Sequence, residues 1–90
     1  MVRRNAAAMP RIHYIPGPYR LFFLSDDCHE PEHVHVKRDR DACKFWLTPL
    51  RLANNRGFSA AELSRIRDTI LEYRPAILEV WREHCCKSES

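Results

Sequence analysis

The 90-residue chain lacks several features that would assign it to a large functional class. No apolar run approaches the ~20 residues of a membrane-spanning helix, and only Ala6 to Met9 separate Arg3-Arg4 from Pro10, too few for a secretory signal. A Gly-rich phosphate loop, a Ser-His-Asp set and zinc-ribbon spacing are also missing. These absences predict a cytoplasmic protein without membrane contact.

The charge balance is equally modest, with 15 basic and 12 acidic residues and a formal net charge of +3. Such a charge permits contact with nucleic acid or an acidic protein but points to neither. The four cysteines (Cys28, Cys43, Cys85 and Cys86) form no C-x-x-C pair, and the adjacent Cys85 and Cys86 rarely bond to each other. In a cytosolic chain we therefore expect free thiols, some of them buried as small apolar residues.

The composition and length predict one folded domain, since 44% of the residues are hydrophobic and 30% are charged. We assign residues 9–86 to a single α+β domain. Residues 1–8 have no periodicity and are predicted to be a disordered extension, and residues 87–90 a disordered tail. Alternating or aromatic-rich patterns predict strands over residues 11–15, 19–24, 33–37 and 42–47, and residues 54–57 are predicted to be a loop.

A helix is predicted from about Ser59, where Ser59-Ala60-Ala61-Glu62 forms a capping box. Apolar residues then recur at steps of three and four, which is the pattern of one helical face: Leu63, Ile66, Ile70, Tyr73, Ile77 and Val80. Pro75 removes a backbone donor, so we expect the helix to be kinked or split there.

The predicted architecture is a small antiparallel sheet of three or four strands with the C-terminal helix packed on one face. So few strands bury only one face, and the other face stays exposed or meets a partner. A homodimer through the C-terminal helices would add burial.

Chemistry is concentrated in Cys28-His29-Glu30-Pro31-Glu32-His33-Val34-His35-Val36. On a strand, Val34 and Val36 point to the core, and His33 and His35 stand together on the opposite face. Two imidazoles at this spacing suit Zn²⁺ or another transition metal ion. The third ligand would come from Glu30 or from one of its neighbours: Asp26, Cys28, His29 or Glu32.

The same two histidines suit general acid–base chemistry without a metal, as in phosphodiester cleavage of RNA. Arg20 and Lys44 would then stabilise phosphate charge. This alternative requires both imidazoles to lie in an open groove. A third interpretation is structural, because an H-V-H-V strand is also what a half-exposed strand looks like. Trp46, Phe22 and Phe23 are expected in the core, although Lys44 and Trp46 share a face and a base-stacking platform combines such residues.

The order of several motifs resembles one bacterial family, the domain-of-unknown-function family 4160. The motifs are Tyr19-Arg20-x-Phe22-Phe23, Glu30-Pro31-Glu32-His33-Val34-His35-Val36, Lys44-Phe45-Trp46-Leu47 and Asn55-x-Gly57-Phe58-Ser59. Members begin with Met-Pro close to the first strand, so Met9-Pro10 takes that place here and Met1 to Ala8 would be an extension or follow an upstream start codon.

The resemblance implies a place in a toxin–antitoxin-like gene pair, because members often lie beside genes of another small family. It favours the toxin-like half and a small partner protein, and it draws attention to Glu30, His33 and His35. The leading hypothesis from the sequence is therefore a partner-binding protein. The alternatives are a metal-independent ribonuclease that uses His33 and His35 or a metal-binding module.

Overall fold

One antiparallel sheet and one long helix make up the part of the chain that the computed structural model describes, residues 15–87, with side chains to residue 85. The sheet order is β1-β2-β3-β4. This confirms the predicted α+β class with four strands. The elements are β1 (Arg20–Phe22), a 3₁₀ turn (Asp27–His29), β2 (His33–Arg38), β3 (Asp41–Leu47), β4 (Leu50–Arg56) and α1 (Ala60–Lys87).

Two tight turns connect the central strands. Asp39 adopts a φ of 55° in the turn between β2 and β3, a conformation that a short polar side chain tolerates. Thr48 and Pro49, joined by a cis peptide bond, link β3 to β4. In the pairing of β2 with β3, His33 lies opposite Trp46, and His35 lies opposite Lys44.

Strand β4 corrects the prediction of a loop over residues 54–57, because residues 54–56 pair with β3. The polar residues that suggested a loop form the end of the strand. The Asn55 side chain donates to the Phe58 carbonyl and accepts from the Phe58 amide. Gly57 then turns the chain with a φ of 104°, and a Cβ there would collide with the Asp41 carboxylate. The predicted strand over residues 11–15 lies outside the described residues except for Ile15, which is not in a strand. The predicted extension over residues 1–8 also lies outside them.

Helix α1 begins at the predicted capping box. The Glu62 amide donates to Ser59 Oγ over 3.2 Å, and the Ser59 amide donates to Glu62 Oε1 over 3.4 Å. Of the kink or split expected at Pro75, the split does not occur, because α1 continues through Pro75 to Lys87. Core residues on both sides of the proline, Ile70 and Ile77, are fully buried and hold the two segments against the same sheet.

The core lies between α1 and one face of the sheet. Val34 and Val36 are buried in it, as predicted. They pack with the other core side chains, which include Leu21, Phe23, Cys43, Phe45, Leu47, Phe58, Ile66, Ile70, Ile77 and Trp81. The helical residues that the structure describes contain no apolar stretch that could span a bilayer.

A disulfide between Cys28 and Cys85 corrects the expectation of free thiols at these two positions. The bond joins the 3₁₀ turn to the end of α1 across 57 residues of sequence, so only the folded chain brings the two cysteines together. Cys43 does keep a free, buried thiol, and burial raises its pKa to about 12.

Candidate metal centre

Strand β2 carries the two predicted histidines, but their surroundings differ. His35 keeps 20% of its side chain exposed, whereas His33 is fully buried. The rings of Trp46 and Trp81 lie 5.5 and 5.2 Å from the His33 ring, measured between centroids. The expectation that both imidazoles stand on an exposed face is therefore wrong for His33. Trp81 of α1 reaches this ring at the end of the sheet where β2 begins.

Asp27 lies against both imidazoles, in the 3₁₀ turn that precedes β2. Its Oδ2 accepts from the Leu24 amide over 2.6 Å, and only 9% of its side chain is exposed. Burial raises the pKa of Asp27. The hydrogen bond from Leu24 and the contacts with His35 and His33 lower this pKa by more than burial raises it, so the net pKa is below the ordinary value. Asp27 is therefore a carboxylate held ionised beside two imidazoles.

The hydrogen bonding of His33 fixes which nitrogen faces Asp27. Nδ1 donates to the Pro31 carbonyl over 2.8 Å, so this nitrogen carries a proton. In the neutral ring Nε2 then presents a lone pair, and Nε2 lies 3.0 Å from Asp27 Oδ1. The approach is close enough for an ion pair, but Nε2 is buried without a hydrogen-bond partner. A lone pair that faces a carboxylate needs either a second ring proton or a cation between the two groups.

His35 completes the cluster from the same strand. Its Nε2 lies 3.2 Å from Asp27 Oδ1 and 3.1 Å from Oδ2. Without a metal ion this nitrogen donates to the carboxylate, and a bound ion would take the place of that proton. The ring of Phe22 on the neighbouring strand stacks on the His35 ring with a centroid distance of 5.4 Å. The cross-strand stack and the carboxylate together hold the His35 ring in one orientation.

The ligand atoms of Asp27, His33 and His35 all lie within 4.8 Å of one another. Around a tetrahedral zinc ion with bonds of about 2.0–2.2 Å, donor atoms stand about 3.3 Å apart. The 3.0 and 3.1 Å separations between Asp27 and the two imidazoles are close to that value. Metal-bound histidines commonly donate their other ring N–H to a backbone carbonyl, as His33 does to Pro31. Two imidazoles and a carboxylate are a donor set that suits Zn²⁺ or Fe²⁺.

The other predicted site residues lie beside this cluster. Glu30, the predicted third ligand, approaches the opposite nitrogen of His33: its Oε1 lies 3.9 Å from Nδ1. Its carboxylate accepts from Lys44 Nζ over 2.7 Å, and this hydrogen bond lowers the pKa of Glu30. Arg20 is exposed on β1, and in the strand register it lies opposite Lys37 of β2. The structure thus brings His33 and His35 together with Asp27, while Glu30 and Lys44 form a separate pair.

The alternative third ligands are occupied or point elsewhere. Cys28 is in the disulfide, and the Glu32 carboxylate accepts from the Thr48 hydroxyl. Asp26 and His29 are exposed on either side of the buried Asp27. The disulfide fastens the turn that carries Asp27 to α1.

Asp27 was not among the ligands predicted from the sequence. Two adjacent aspartates precede the histidines, and the sequence does not distinguish them. The distinguishing signal is local: Asp27 accepts from the amide of Leu24, three residues earlier, and this short-range bond turns its side chain inwards.

Comparisons with known proteins agree with the resemblance in the motifs. The model of the family described as "Domain of unknown function (DUF4160)" matches residues 19–82. A search of curated proteins and a search of solved structures return no significant match. The matched segment includes all four strands, Asp27, both histidines and most of α1, and on this evidence the chain belongs to the DUF4160 family.

Proposed function

We propose that this protein is a metal-binding domain in which Asp27, His33 and His35 hold a divalent first-row transition metal ion, with Zn²⁺ as the first candidate. The observation that carries the proposal is the unbonded, fully buried Nε2 of His33, which faces the Asp27 carboxylate. A cation between these groups removes the repulsion between lone pairs and uses the nitrogen that the Pro31 hydrogen bond leaves free.

Three protein donors leave at least one coordination position for water or a small ligand. The partly exposed His35 marks the side from which such a ligand enters, since His33 is closed off by Trp46 and Trp81. When bound, the ion would act as a Lewis acid toward that ligand. The surrounding aromatic rings provide the apolar shell that limits water access to a metal site.

Isothermal titration of tag-free protein with Zn²⁺, after chelator treatment, tests the proposal. We expect one Zn²⁺ per chain and an affinity that falls at least tenfold in Asp27→Asn and in His35→Ala. Neighbouring residues provide matched controls: Asp26→Asn and His29→Ala change the same residue types at exposed positions and should bind like the wild type. The test does not use a His33 variant, because His33 is fully buried and its substitution would disturb the packing around it.

The competing explanation is a second proton on the His33 ring, with no ion involved. In that case the wild type would show no saturable Zn²⁺ binding. Equal affinities for Asp27→Asn and Asp26→Asn would also contradict the proposal, because any binding would then come from exposed groups.

The acid–base alternative is less well supported by this geometry. A His33–His35 pair that cleaves RNA needs both rings in an open groove, and His33 is fully buried. It stays a prediction, and unchanged RNA cleavage after His35→Ala would contradict it.

Pairing with a small partner protein in a toxin–antitoxin-like module also stays a prediction, drawn from the family resemblance. Co-expression with the product of the neighbouring gene and co-purification of the untagged partner test it. Sedimentation of the isolated chain separately tests the predicted homodimer.

A further inference from the structure

The sheet face opposite α1 has a regular arrangement of side chains, and among them only His35 belongs to the proposed metal site. Cross-strand register places Arg20, Lys37, Ala42 and Arg56 in one row and Phe22, His35, Lys44 and Asn54 in the next. Trp46 and Arg51 form a third row beside the buried His33. We call this surface the open face and define it by these residues: Arg20, Phe22, His35, Lys37, Lys44, Trp46, Arg51, Asn54 and Arg56.

The open face carries positive charge that is largely uncompensated. Arg20, Lys37, Arg51 and Arg56 are exposed, and no ion pair joins any of them to another residue of the described chain. Lys44 is the exception, since it pairs with Glu30.

The strands themselves add no negative charge to this surface. Asp41 is the one carboxylate in the four described strands, and it pairs with Arg38 on the side of the sheet that packs on α1. Its partner Arg38 also contacts Glu62 of α1. The strands therefore contribute only positive charge to the open face, and the carboxylates of Asp27 and Glu30 approach it from the preceding turn, against His35 and Lys44.

Aromatic rings alternate with these cations. Phe22 and Trp46 are both partly exposed, and Lys44 Nζ lies 4.6 Å from the centroid of the Trp46 ring. Phe22 and Trp46 therefore do not belong to the core, contrary to the expectation from the sequence, whereas Phe23 does. Interleaved aromatic and basic residues on an exposed sheet form the surface on which unpaired bases stack while phosphates contact the cations.

We propose that the open face binds single-stranded RNA, and this inference does not depend on the metal centre. The four strands span about 14 Å at roughly 4.8 Å per strand, which suits two or three stacked bases. An acidic protein would satisfy the arginines but would gain little from the flat rings of Phe22 and Trp46. A duplex would satisfy the phosphate contacts, but its bases are already stacked and unavailable to these rings.

Fluorescence anisotropy of a labelled 12-nucleotide single-stranded RNA, titrated with metal-free protein, tests the proposal. We expect Arg20→Glu and Arg56→Glu each to weaken binding at least fivefold. The slope of log affinity against log salt should fall by about 0.7 for each phosphate that a variant no longer neutralises. Arg67→Glu is the matched control: it changes the net charge equally, is exposed on α1 and should leave binding unchanged.

The contribution of the rings is tested separately. Trp46→Ala should weaken RNA binding by about fivefold or more, whereas Trp46→Phe, which keeps a ring, should weaken it less. Equal affinity for a duplex of the same length, or an equally large effect of Arg67→Glu, would overturn the proposal. Either result would show that the protein attracts nucleic acid only through non-specific electrostatics. Tighter binding of an acidic polypeptide than of the RNA would overturn it in favour of a protein partner. Absence of Zn²⁺ binding in a protein that still binds RNA would contradict the metal proposal alone.

Discussion

At the scale of single residues, Asp27 connects the turn before β2 with both histidines. Its neighbour Asp26 is exposed and has the same charge. Substitutions at the two positions can therefore be compared to distinguish the effect of charge in this turn from the effect of the buried contacts of Asp27. The Asp27 carboxylate accepts from Leu24 and lies within 3.2 Å of His35. The folded state therefore favours its ionised form, and this preference has a measurable dependence on pH.

We predict that Asp27→Asn lowers the free energy of unfolding of the metal-free protein by about 1–3 kcal/mol at pH 7, because a buried hydrogen-bond acceptor is altered. The pKa of Asp27 is lowered on folding. Its stabilising contribution is therefore complete above the unfolded pKa, near 3.9, and disappears as the pH falls through the lower folded pKa. Denaturant unfolding between pH 2 and pH 7 should show a shallower acid limb in the variant. An identical pH profile in Asp26→Asn and Asp27→Asn would contradict this prediction.

Single residues also show what the sequence could predict at the site. The alternation of His33-Val34-His35-Val36 correctly predicted which residues enter the core on the helix side. It could not predict the burial of His33, because Trp81 reaches it from a helix about fifty residues away in sequence. Asp27 was missed for a related reason: its role depends on how the turn folds back over β2.

At the scale of elements, α1 shows how tertiary packing overrides a local signal. Pro75 is exposed in the middle of a helix whose buried residues continue on both sides. Proline removes one backbone hydrogen bond and crowds the preceding turn, yet the helix remains continuous. The capping box, which acts within one turn, was predicted correctly, whereas the effect of Pro75 depended on packing that the sequence does not display.

We predict that Pro75→Ala raises the free energy of unfolding by about 1–3 kcal/mol, because alanine restores the missing amide donor and has the highest helix propensity. The gain is reduced by the greater flexibility of the unfolded chain. Chemical denaturation measures the change, and Glu79→Ala, at another exposed position of α1, should differ little from the wild type. A loss of stability in Pro75→Ala would show that the proline fits a bend that the fold requires.

Strand β4 was missed because Asn54-Asn55-Arg56-Gly57 has the composition of a turn. Only Gly57 turns the chain, while Asn55 pairs with Cys43 and caps the link to α1 through Phe58. Turn-forming residues at the end of a strand are thus compatible with strand pairing when their side chains form hydrogen bonds with the backbone groups that follow the strand.

The disulfide at the 3₁₀ turn gives a second prediction at this scale. Replacing Cys28 and Cys85 by serine should lower the free energy of unfolding by about 2–4 kcal/mol, as expected for a bridge that closes a loop of this length. It should also weaken Zn²⁺ binding, because Cys28 adjoins Asp27. A phosphine reductant, which does not compete for Zn²⁺ as a dithiol would, should reproduce both effects in the wild type and have no effect on the double variant. Unchanged zinc affinity would show that the turn holds Asp27 without the bridge.

At the scale of the whole molecule, the two faces of the sheet have different roles. One face packs on α1 and supplies the core. The other carries the cations and rings of the open face, and the proposed metal site lies beneath the turn that contains Asp27. The prediction that one face stays exposed is consistent with this arrangement over the described part of the chain.

Metal binding should stabilise the whole fold, because the donors come from the turn and from β2. At a Zn²⁺ concentration about 100 times the dissociation constant, we predict a gain of about 2.7 kcal/mol. In a domain of this size that gain corresponds to a rise in melting temperature of roughly 10–20 °C. Differential scanning calorimetry with and without Zn²⁺ measures the shift. Asp27→Asn should melt at the same temperature in both conditions, and an equal shift in that variant would exclude Asp27 as a ligand.

The Cys28–Cys85 bond has one further consequence, for a chain that has been cut. The segment from residue 28 to residue 85 is a covalent ring that contains three of the four strands and nearly all of α1. A single proteolytic cut inside that ring, for example in the turn at Asp39 and Arg40, leaves both fragments in one molecule. Such a nicked protein would migrate as two pieces only after reduction, and its halves would reassociate without dependence on concentration.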